Sequence, residues 1–253
     1  MRFANGRSDF NPEFNCELSL PEAEAGRFLA LGSNKSEDPL QLLVWGDSHA
    51  MAALPAVDYL CKQHSVRAFA ATHSETPPLV DYLPDGSYSL KEGAPGFGRA
   101  VIRFVRTLQI RNVLLIARWK GYRAGSSPEF HAALTKTVRE LTNCGAKVWI
   151  MPEVPNFSWD VPRALARAAL FHMDPSKLNL PLNAYFEQIA DQEHEFAEAA
   201  GLGVIVLDPS KYLSKGEIVP SSDNEVPIYR DFHHLAVHGT MMIRPMFQPI
   251  FAQ

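Results

Sequence analysis

The chain has 253 residues, of which 46% are hydrophobic, 21% charged and 10% aromatic. This composition fits one globular domain with a sizeable core and excludes a mainly disordered chain. The formal net charge is −4 and no basic block is present, so we expect no nucleic-acid partner. The longest apolar runs fall far short of the ~20 residues that cross a bilayer.

Residues 1–40 are polar and carry turn signals such as Asn11-Pro12. They predict an irregular N-terminal segment or linker, so we assign the domain to residues 41–253. The cysteines lack the spacing of a disulfide framework or of a zinc site; they are Cys16, Cys61 and Cys144.

From residue 41 onward, short apolar runs typical of buried strands alternate with longer segments of helical periodicity. The predicted strands are 42–45, 66–71, 113–117, 148–151 and 204–207. The predicted helices are 50–63, 98–109, 128–143, 161–171, 182–200 and a last one after residue 235. This alternation predicts an α/β fold with three αβα layers and a five-stranded, mostly parallel sheet. In such sheets ligands collect at the carboxyl ends of the strands.

A serine stands at the carboxyl end of the first predicted strand, in the sequence Gly46-Asp47-Ser48-His49-Ala50. There its hydroxyl would lie beside the unpaired N–H groups at the start of a helix, an arrangement that suits a nucleophile and stabilises an oxyanion. Gly-Asp-Ser by itself favours a simpler role, because these residue types commonly cap helices. We assign Asp47 to bracing the turn and interpret His49 as a satisfied helix-start histidine.

A base for this serine is present near the other end of the chain, where Asp231 and His234 are three residues apart. On a turn, that spacing lets the carboxylate contact one imidazole nitrogen and leaves the other free to face a serine. A competing interpretation is a metal site in which His233, His234 and His238 join Asp231. For His233 and His238 we favour a solvated or capping role.

Together, the two motifs resemble the SGNH hydrolase superfamily, which carries Gly-Asp-Ser after its first strand and Asp-x-x-His before its last helix. The resemblance is to the SGNH domain fused to acyltransferase-3 membrane proteins, which O-acetylate bacterial surface sugars. It covers about residue 42 to the C-terminus and implies a flavodoxin-like SGNH fold. Besides the serine motif, the matching segments are Pro77-Pro78-Leu79, Arg118-Trp119 and Pro152-Glu153-Val154-Pro155.

The resemblance implies that Ser48 is the nucleophile, His234 the general base and acid, and Asp231 the residue that orients His234. It also implies further oxyanion donors, a glycine after the second strand and an asparagine after the third, and this sequence has neither. One missing donor is typically worth ~10² in rate. As substitutes we consider Ser74 or a nearby backbone N–H for the first donor, and the side chain of Arg118 or Trp119 for the second.

Arg118, Trp119 and Tyr122 also form a candidate platform for a sugar, because an aromatic face beside a forked cation suits a polar ring and its hydroxyls. For the Trp119 side chain, the sequence supports a position in the cleft and a position in the core equally. Glu153 either holds its loop or touches the substrate.

By resemblance we expect acetyl transfer to a hydroxyl of a bacterial surface polysaccharide or lipopolysaccharide, through an acyl-serine intermediate. Two alternatives stay open: a carbohydrate acetylesterase, with water as acceptor, and a non-catalytic glycan-binding module. The resemblance implies no cofactor in this domain and an acetyl group that comes ultimately from acetyl-CoA. It implies a membrane acyltransferase domain as partner in the same full-length chain, and a periplasmic location as part of an inner-membrane protein.

Overall fold

The computed structural model describes residues 11–123 and 125–252. Within them, the strands are β1 (Leu29–Gly32), β2 (Leu40–Gly46), β3 (Arg67–Thr72), β4 (Asn112–Ile116), β5 (Lys147–Met151), β6 (Leu180–Pro181), β7 (Ile205–Val206), β8 (Ile218–Val219), β9 (Ser222–Asp223) and β10 (Val226–Pro227). The α-helices are α1 (Leu20–Glu24), α2 (Ser48–Gln63), α3 (Ala94–Leu108), α4 (Pro128–Asn143), α5 (Val161–Leu170), α6 (Leu182–Ala200), α7 (Ser210–Leu213) and α8 (Val237–Ile243).

Six of these strands form the central sheet, in the order β1-β3-β2-β4-β5-β7. Strands β3, β2, β4, β5 and β7 run parallel to one another, and these five correspond to the five predicted strands. Their order is the flavodoxin-like arrangement, in which β3, the second of these five along the chain, lies on the outer side of β2, the first. The predicted α/β fold with a mostly parallel sheet is confirmed.

Helices cover both faces of the sheet, which explains why the central strands are apolar at almost every position. Alternate residues of β2 enter different cores. Leu42 and Val44 pack on one face with residues of α2, α5 and α8. Leu43 and Trp45 pack on the other face with residues of α3 and α4.

The helix bounds agree with the sequence-based ones except at a few ends. Helix α2 begins at Ser48 because the Asp47 side chain caps it, and α3 begins at Ala94 because Pro95 is tolerated in a first turn. None of the helices in the described ranges is long and apolar enough to cross a membrane.

Regular structure begins before residue 41, so the expectation of an irregular segment over residues 1–40 is wrong for part of residues 11–40, and residues 1–10 lie outside the described ranges. Strand β1 pairs antiparallel with β3, with Leu29 opposite Ala70. Helix α1 starts with a capping box between Ser19 and Glu22. Residues 28–31 read FLAL, which is the sequence signal of a short strand. The prediction of an irregular segment gave more weight to the polar residues on both sides.

The close approach of β2 and β4 brings the carboxyl ends of two strands together. A Cβ atom at Gly46 would overlap the carbonyl oxygen of Ile116, so only glycine fits at this position. Asp47 caps α2 and Ser48 is the first residue of that helix, which places the serine motif at the sheet edge where loops and ligands gather.

Candidate active site

The turn between β2 and α2 is fixed by Asp47, whose carboxylate is buried. Its Oδ1 accepts the backbone N–H of His49 at 2.8 Å. Its Oδ2 accepts the N–H of Arg118 at 2.9 Å and the hydroxyl of Tyr122 at 2.7 Å. Burial raises the pKa of Asp47, and these hydrogen bonds oppose that shift. Asp47 therefore braces the turn, as the sequence indicated, and holds Ser48 at the edge of the sheet.

Ser48, His234 and Asp231 form a continuous chain of hydrogen bonds. His234 Nε2 lies 2.9 Å from Ser48 Oγ, and His234 Nδ1 lies 2.6 Å from Asp231 Oδ2. Asp231 Oδ1 accepts the backbone N–H groups of His233 and His234, each at 2.8 Å. The structure thus brings together the three residues that the sequence singled out, although His234 and Ser48 are 186 positions apart.

The charge of Asp231 determines which nitrogen of His234 carries the proton. Burial disfavours the ionised carboxylate, but the hydrogen bonds from His234 and the N–H of His233 outweigh it and hold the pKa of Asp231 well below its ordinary value. An ionised Asp231 accepts Nδ1–H from His234, which leaves Nε2 as an acceptor for the Ser48 hydroxyl.

The turn that carries Asp231 and His234 is anchored at both ends. The Arg230 N–H donates to the His234 carbonyl at 3.0 Å and closes the turn. The Phe157 N–H donates to the Phe232 carbonyl at 2.8 Å and joins the turn to the loop between β5 and α5. This loop and the turn therefore keep a fixed relation.

Two further histidines lie beside the triad formed by Ser48, His234 and Asp231. His49 Nε2 and His233 Nδ1 are 2.8 Å apart, and both side chains are buried. Burial, followed by the proximity of His234, lowers the pKa of His49 well below its ordinary value and that of His233 to about 3. Both rings are therefore neutral near pH 7. The predicted solvated or capping role of His233 is wrong, because its ring is packed against and hydrogen-bonded to His49.

The metal set considered from the sequence does not assemble, because His238 lies apart, with Nε2 3.2 Å from Asp223 Oδ2. Over the described ranges, potential ligand atoms converge within 4.8 Å of one another in two groups, which are His49–His233–His234 and His131–Glu195–Glu198. In the first group the ring nitrogens hydrogen-bond to each other, to Asp231 and to Ser48.

The triad and the residues packed around it form one cluster, which we call the triad corner. Its six residues are Asp47, Ser48, His49, Asp231, His233 and His234.

Two of the three proposed oxyanion candidates have their donors engaged elsewhere. The N–H and hydroxyl of Ser74 both donate to the Glu17 carboxylate, at 2.8 and 2.5 Å. The indole N–H of Trp119 donates to the Met151 carbonyl at 2.7 Å, and the whole side chain is buried. Trp119 therefore belongs to the core, and neither Ser74 nor Trp119 offers a donor to an oxyanion here. Arg118 is the candidate whose side chain is partly exposed.

The predicted sugar platform does not form, because Tyr122 as well as Trp119 is buried. The short turn Trp119–Tyr122 directs both rings inward, and the Tyr122 hydroxyl binds Asp47. Only Arg118 of the three faces a groove. The sequence missed this because a residue just after a strand can turn to either side, and nothing local decides which.

Glu153 holds its loop, which is one of the two roles left open by the sequence, and it also lines the groove described below. Its buried carboxylate accepts the Lys120 N–H at 2.9 Å, Asn156 Nδ2 at 2.6 Å and Gln192 Nε2 at 3.1 Å. Arg118 Nε lies 3.9 Å away. Burial raises the pKa of Glu153, and the hydrogen bonds and the charge of Arg118 oppose that shift.

A groove of about 650 Å³ lies next to the triad corner. It runs between the ends of β4 and β5, the loop that follows β5, and the triad turn. Phe232, which directly precedes His233, forms part of its wall and connects it to the triad. The residues that matter for its chemistry are Arg118, Lys120, Asn156, Trp159, Gln188 and Phe232.

A family model matches almost the whole chain. The model is described as "SGNH domain (fused to AT3 domains)" and matches residues 15–249. The chain belongs to this SGNH domain family. The matched range starts within the N-terminal segment that the sequence analysis set apart, in line with the pairing of β1. No curated protein sequence matches the chain.

Two solved structures share the fold. The periplasmic domain of a lipopolysaccharide acetyltransferase from Salmonella ser. Paratyphi A superposes with a TM-score of 0.72 at 16% identity, covering 94% of this chain and 90% of that one. A Bacteroides fragilis protein assigned as an acylhydrolase superposes with a TM-score of 0.51 at 13% identity, covering 87% of this chain and 89% of that one. At these identities the similarity shows the SGNH-type fold alone.

Proposed function

We propose that this domain transfers an acetyl group to a hydroxyl of a bacterial surface glycan through an acetyl-Ser48 intermediate. The observation that carries the proposal is the hydrogen-bond chain from Ser48 through His234 to Asp231, at 2.9 and 2.6 Å. The SGNH family membership and the acetyltransferase and acylhydrolase neighbours support acyl chemistry.

In the first half-reaction, Ser48 Oγ attacks the acyl carbon while His234 Nε2 takes the hydroxyl proton. Asp231 stabilises the imidazolium that forms. The adjacent neutral pair of His49 and His233 places no competing positive charge beside it. The oxyanion meets the Ser48 N–H, which in the first turn of α2 has no intrahelical partner, and the side chain of Arg118. The imidazolium then returns its proton to the departing group.

In the second half-reaction, an acceptor hydroxyl gives its proton to His234 Nε2 and attacks the acetyl carbon. The bond from the acetyl carbon to Ser48 Oγ then breaks, and Ser48 Oγ takes the proton back from His234. Water in place of the sugar hydroxyl would make the same residues an acetylesterase. The triad does not discriminate between water and a sugar hydroxyl. The site that binds the acceptor must therefore determine which of them reacts.

The proposal includes the source of the acetyl group. We assign it to a membrane acyltransferase domain of the same full-length chain that draws on acetyl-CoA, with no cofactor held in this domain. The family description, which names fusion to AT3 domains, supports that partner. Together with the periplasmic-domain neighbour it supports a periplasmic location as part of an inner-membrane protein.

The test uses p-nitrophenyl acetate as acetyl donor and methyl pyranosides as acceptors. We expect mass spectrometry to find acetyl on Ser48, and both acetyl-sugar and acetate as products. Ser48→Ala should remove the adduct and both products. Ser74→Ala is the matched control, since it changes a serine at the end of the neighbouring strand whose donors bind Glu17.

Three results separate the alternatives. Acetate without acetyl-sugar for any acceptor would make the domain an esterase. No Ser48 adduct in the parent protein would favour the non-catalytic module. Unchanged turnover in Ser48→Ala would contradict the assigned nucleophile.

A further inference from the structure

We propose that the groove beside the triad corner binds the acceptor sugar, with Trp159, Asn156 and Phe232 holding a pyranose ring in reach of Ser48. This assignment rests on the proposed function, because it gives the acetyl acceptor its site.

Unpaired polar atoms are concentrated in this groove. Over the described residues, five buried side-chain nitrogen or oxygen atoms have no hydrogen-bond partner, and three of them belong to groove residues: Arg118 Nε, Asn156 Oδ1 and Trp159 Nε1. Buried polar atoms in proteins are nearly always paired, because an unpaired one costs about 1–3 kcal/mol. Arg118 Nε has only the Glu153 carboxylate nearby, at 3.9 Å. Two donors and one acceptor on side chains that line one groove match sugar hydroxyls, which both donate and accept.

The acceptor atom of this set is held rigidly. Asn156 Nδ2 donates to Glu153 Oε1 at 2.6 Å, so its Oδ1 is the atom left for a ligand. The Asn156 main chain exchanges two hydrogen bonds with the Gln188 amide, each 2.9 Å long. A polar atom fixed in advance in this way binds a ligand without first losing its own freedom.

The wall of the groove provides an apolar face. The Phe232 side chain is 43% exposed although it belongs to the triad turn, and the Trp159 ring packs 5.9 Å from that of Phe157. An aromatic face suits the C–H face of a pyranose, while the indole N–H serves a hydroxyl. A long acyl chain would leave the three polar atoms unpaired, so this combination favours a sugar.

The positions of these residues fit an acceptor. Phe232 is two residues from His234, the base that must take the proton of the acceptor hydroxyl. The Phe157 N–H bond to the Phe232 carbonyl ties the loop carrying Asn156 and Trp159 to the same turn. A sugar on this wall would therefore contact the same turn that carries His234.

Tryptophan fluorescence of Ser48→Ala protein gives a direct test of binding without chemistry. Trp45, Trp119 and Trp149 are buried, and Trp159 is the partly exposed tryptophan of the four, so it reports on the groove. The probes are the methyl pyranosides of glucose, galactose, mannose and rhamnose, titrated singly. We expect a saturable fluorescence change with at least one of them.

Two variants locate the binding, measured by saturation-transfer NMR. Trp159→Phe, which removes the indole N–H and part of the ring, should weaken binding about tenfold. Phe232→Leu is the second variant and should also weaken binding several-fold. Phe171→Leu, an exposed aromatic at the end of α5 outside the groove, is the control and should bind like the parent. Circular dichroism confirms that each variant is folded.

The proposal is overturned if none of the four pyranosides gives a saturable signal, or if Trp159→Phe and Phe232→Leu bind as tightly as the control. Acetylation of Ser48 without sugar binding would reject the groove and leave the proposed function standing. Sugar binding lost in both variants, without acetylation of Ser48 in the parent, would support the groove and reject the proposed chemistry.

Discussion

The triad corner and the groove lie side by side at the carboxyl edge of the sheet, yet they treat their polar groups in opposite ways. In the triad corner no side-chain nitrogen or oxygen is buried without a partner, and each of the three histidine rings is hydrogen-bonded. In the groove, three buried polar atoms lack partners. The first region is complete by itself, and we propose that a bound sugar completes the second.

The difference teaches how the two tasks are divided. A nucleophile and its base must be aligned before the substrate arrives, since a small misplacement costs much of the rate. A binding wall must instead keep polar atoms available, which costs stability. Changes in the triad corner should therefore cost more, in activity or in stability, than changes in the groove.

The largest effect is expected for Asp231→Asn. The asparagine NH₂ group cannot accept the Nδ1–H of His234, so it favours the wrong tautomer and removes the acceptor for Ser48. We expect kcat for p-nitrophenyl acetate to fall by about 10³- to 10⁴-fold. Asp174→Asn, which changes an exposed capping aspartate, is the control. A loss below about tenfold would break the comparison, because the triad corner would not depend on its complete set of bonds.

Gly46→Ala tests the backbone under the triad corner. Its Cβ would overlap the Ile116 carbonyl oxygen, so β2 and β4 would have to separate. We expect a loss of about 3 kcal/mol or more in the free energy of unfolding, measured in urea. In the control Gly93→Ala, the new Cβ would meet Leu90 at an ordinary 3.8 Å. Equal stability of the two variants would contradict the close approach of the strands.

Acid should disturb the triad corner through His233. Its pKa is about 3 in the folded protein and 6.5 by default, so on acidification the unfolded state takes up the proton first. Stability is then lost as pH falls from about 6.5 toward 3, by about 2 kcal/mol at pH 5. His233→Gln should reduce the drop in unfolding free energy between pH 7.5 and 5.0 by that amount.

The control variant for the pH experiment is His194→Gln, which replaces an exposed histidine of α6. An equal drop in the parent and in His233→Gln would show that His233 is not held neutral in the folded state.

A matched pair of tyrosines gives the last test, and the smallest change is expected for Tyr229→Phe. The buried Tyr122 hydroxyl donates to the Asp47 carboxylate at 2.7 Å, whereas the buried Tyr229 hydroxyl has no hydrogen-bond partner in the described ranges. Tyr122→Phe should cost about 1.5–3 kcal/mol of unfolding free energy, and Tyr229→Phe should be close to neutral. Urea unfolding of both variants measures the worth of the bond from Tyr122 to Asp47, and a larger cost for Tyr229→Phe would contradict it.

The parallel strands of the sheet could be predicted from the sequence because strands buried on both faces leave continuous apolar runs, as in residues 42–45. It also identified Ser48, Asp231 and His234, because each side of the triad is a short local motif. It could not orient Trp119, since the direction of a side chain after a strand depends on the core that forms around it. The pair of His49 and His233 joins residues 184 positions apart, and no local pattern marks such a contact.

The most direct measurement of the central claim is labelling by a fluorophosphonate probe, which reacts with a serine activated by a histidine base. We expect a covalent adduct on Ser48 in the parent chain, located by peptide mass spectrometry, and its loss in His234→Ala. Equal labelling of both proteins, or no labelling of the parent, would contradict the proposal that His234 activates Ser48 for acyl transfer.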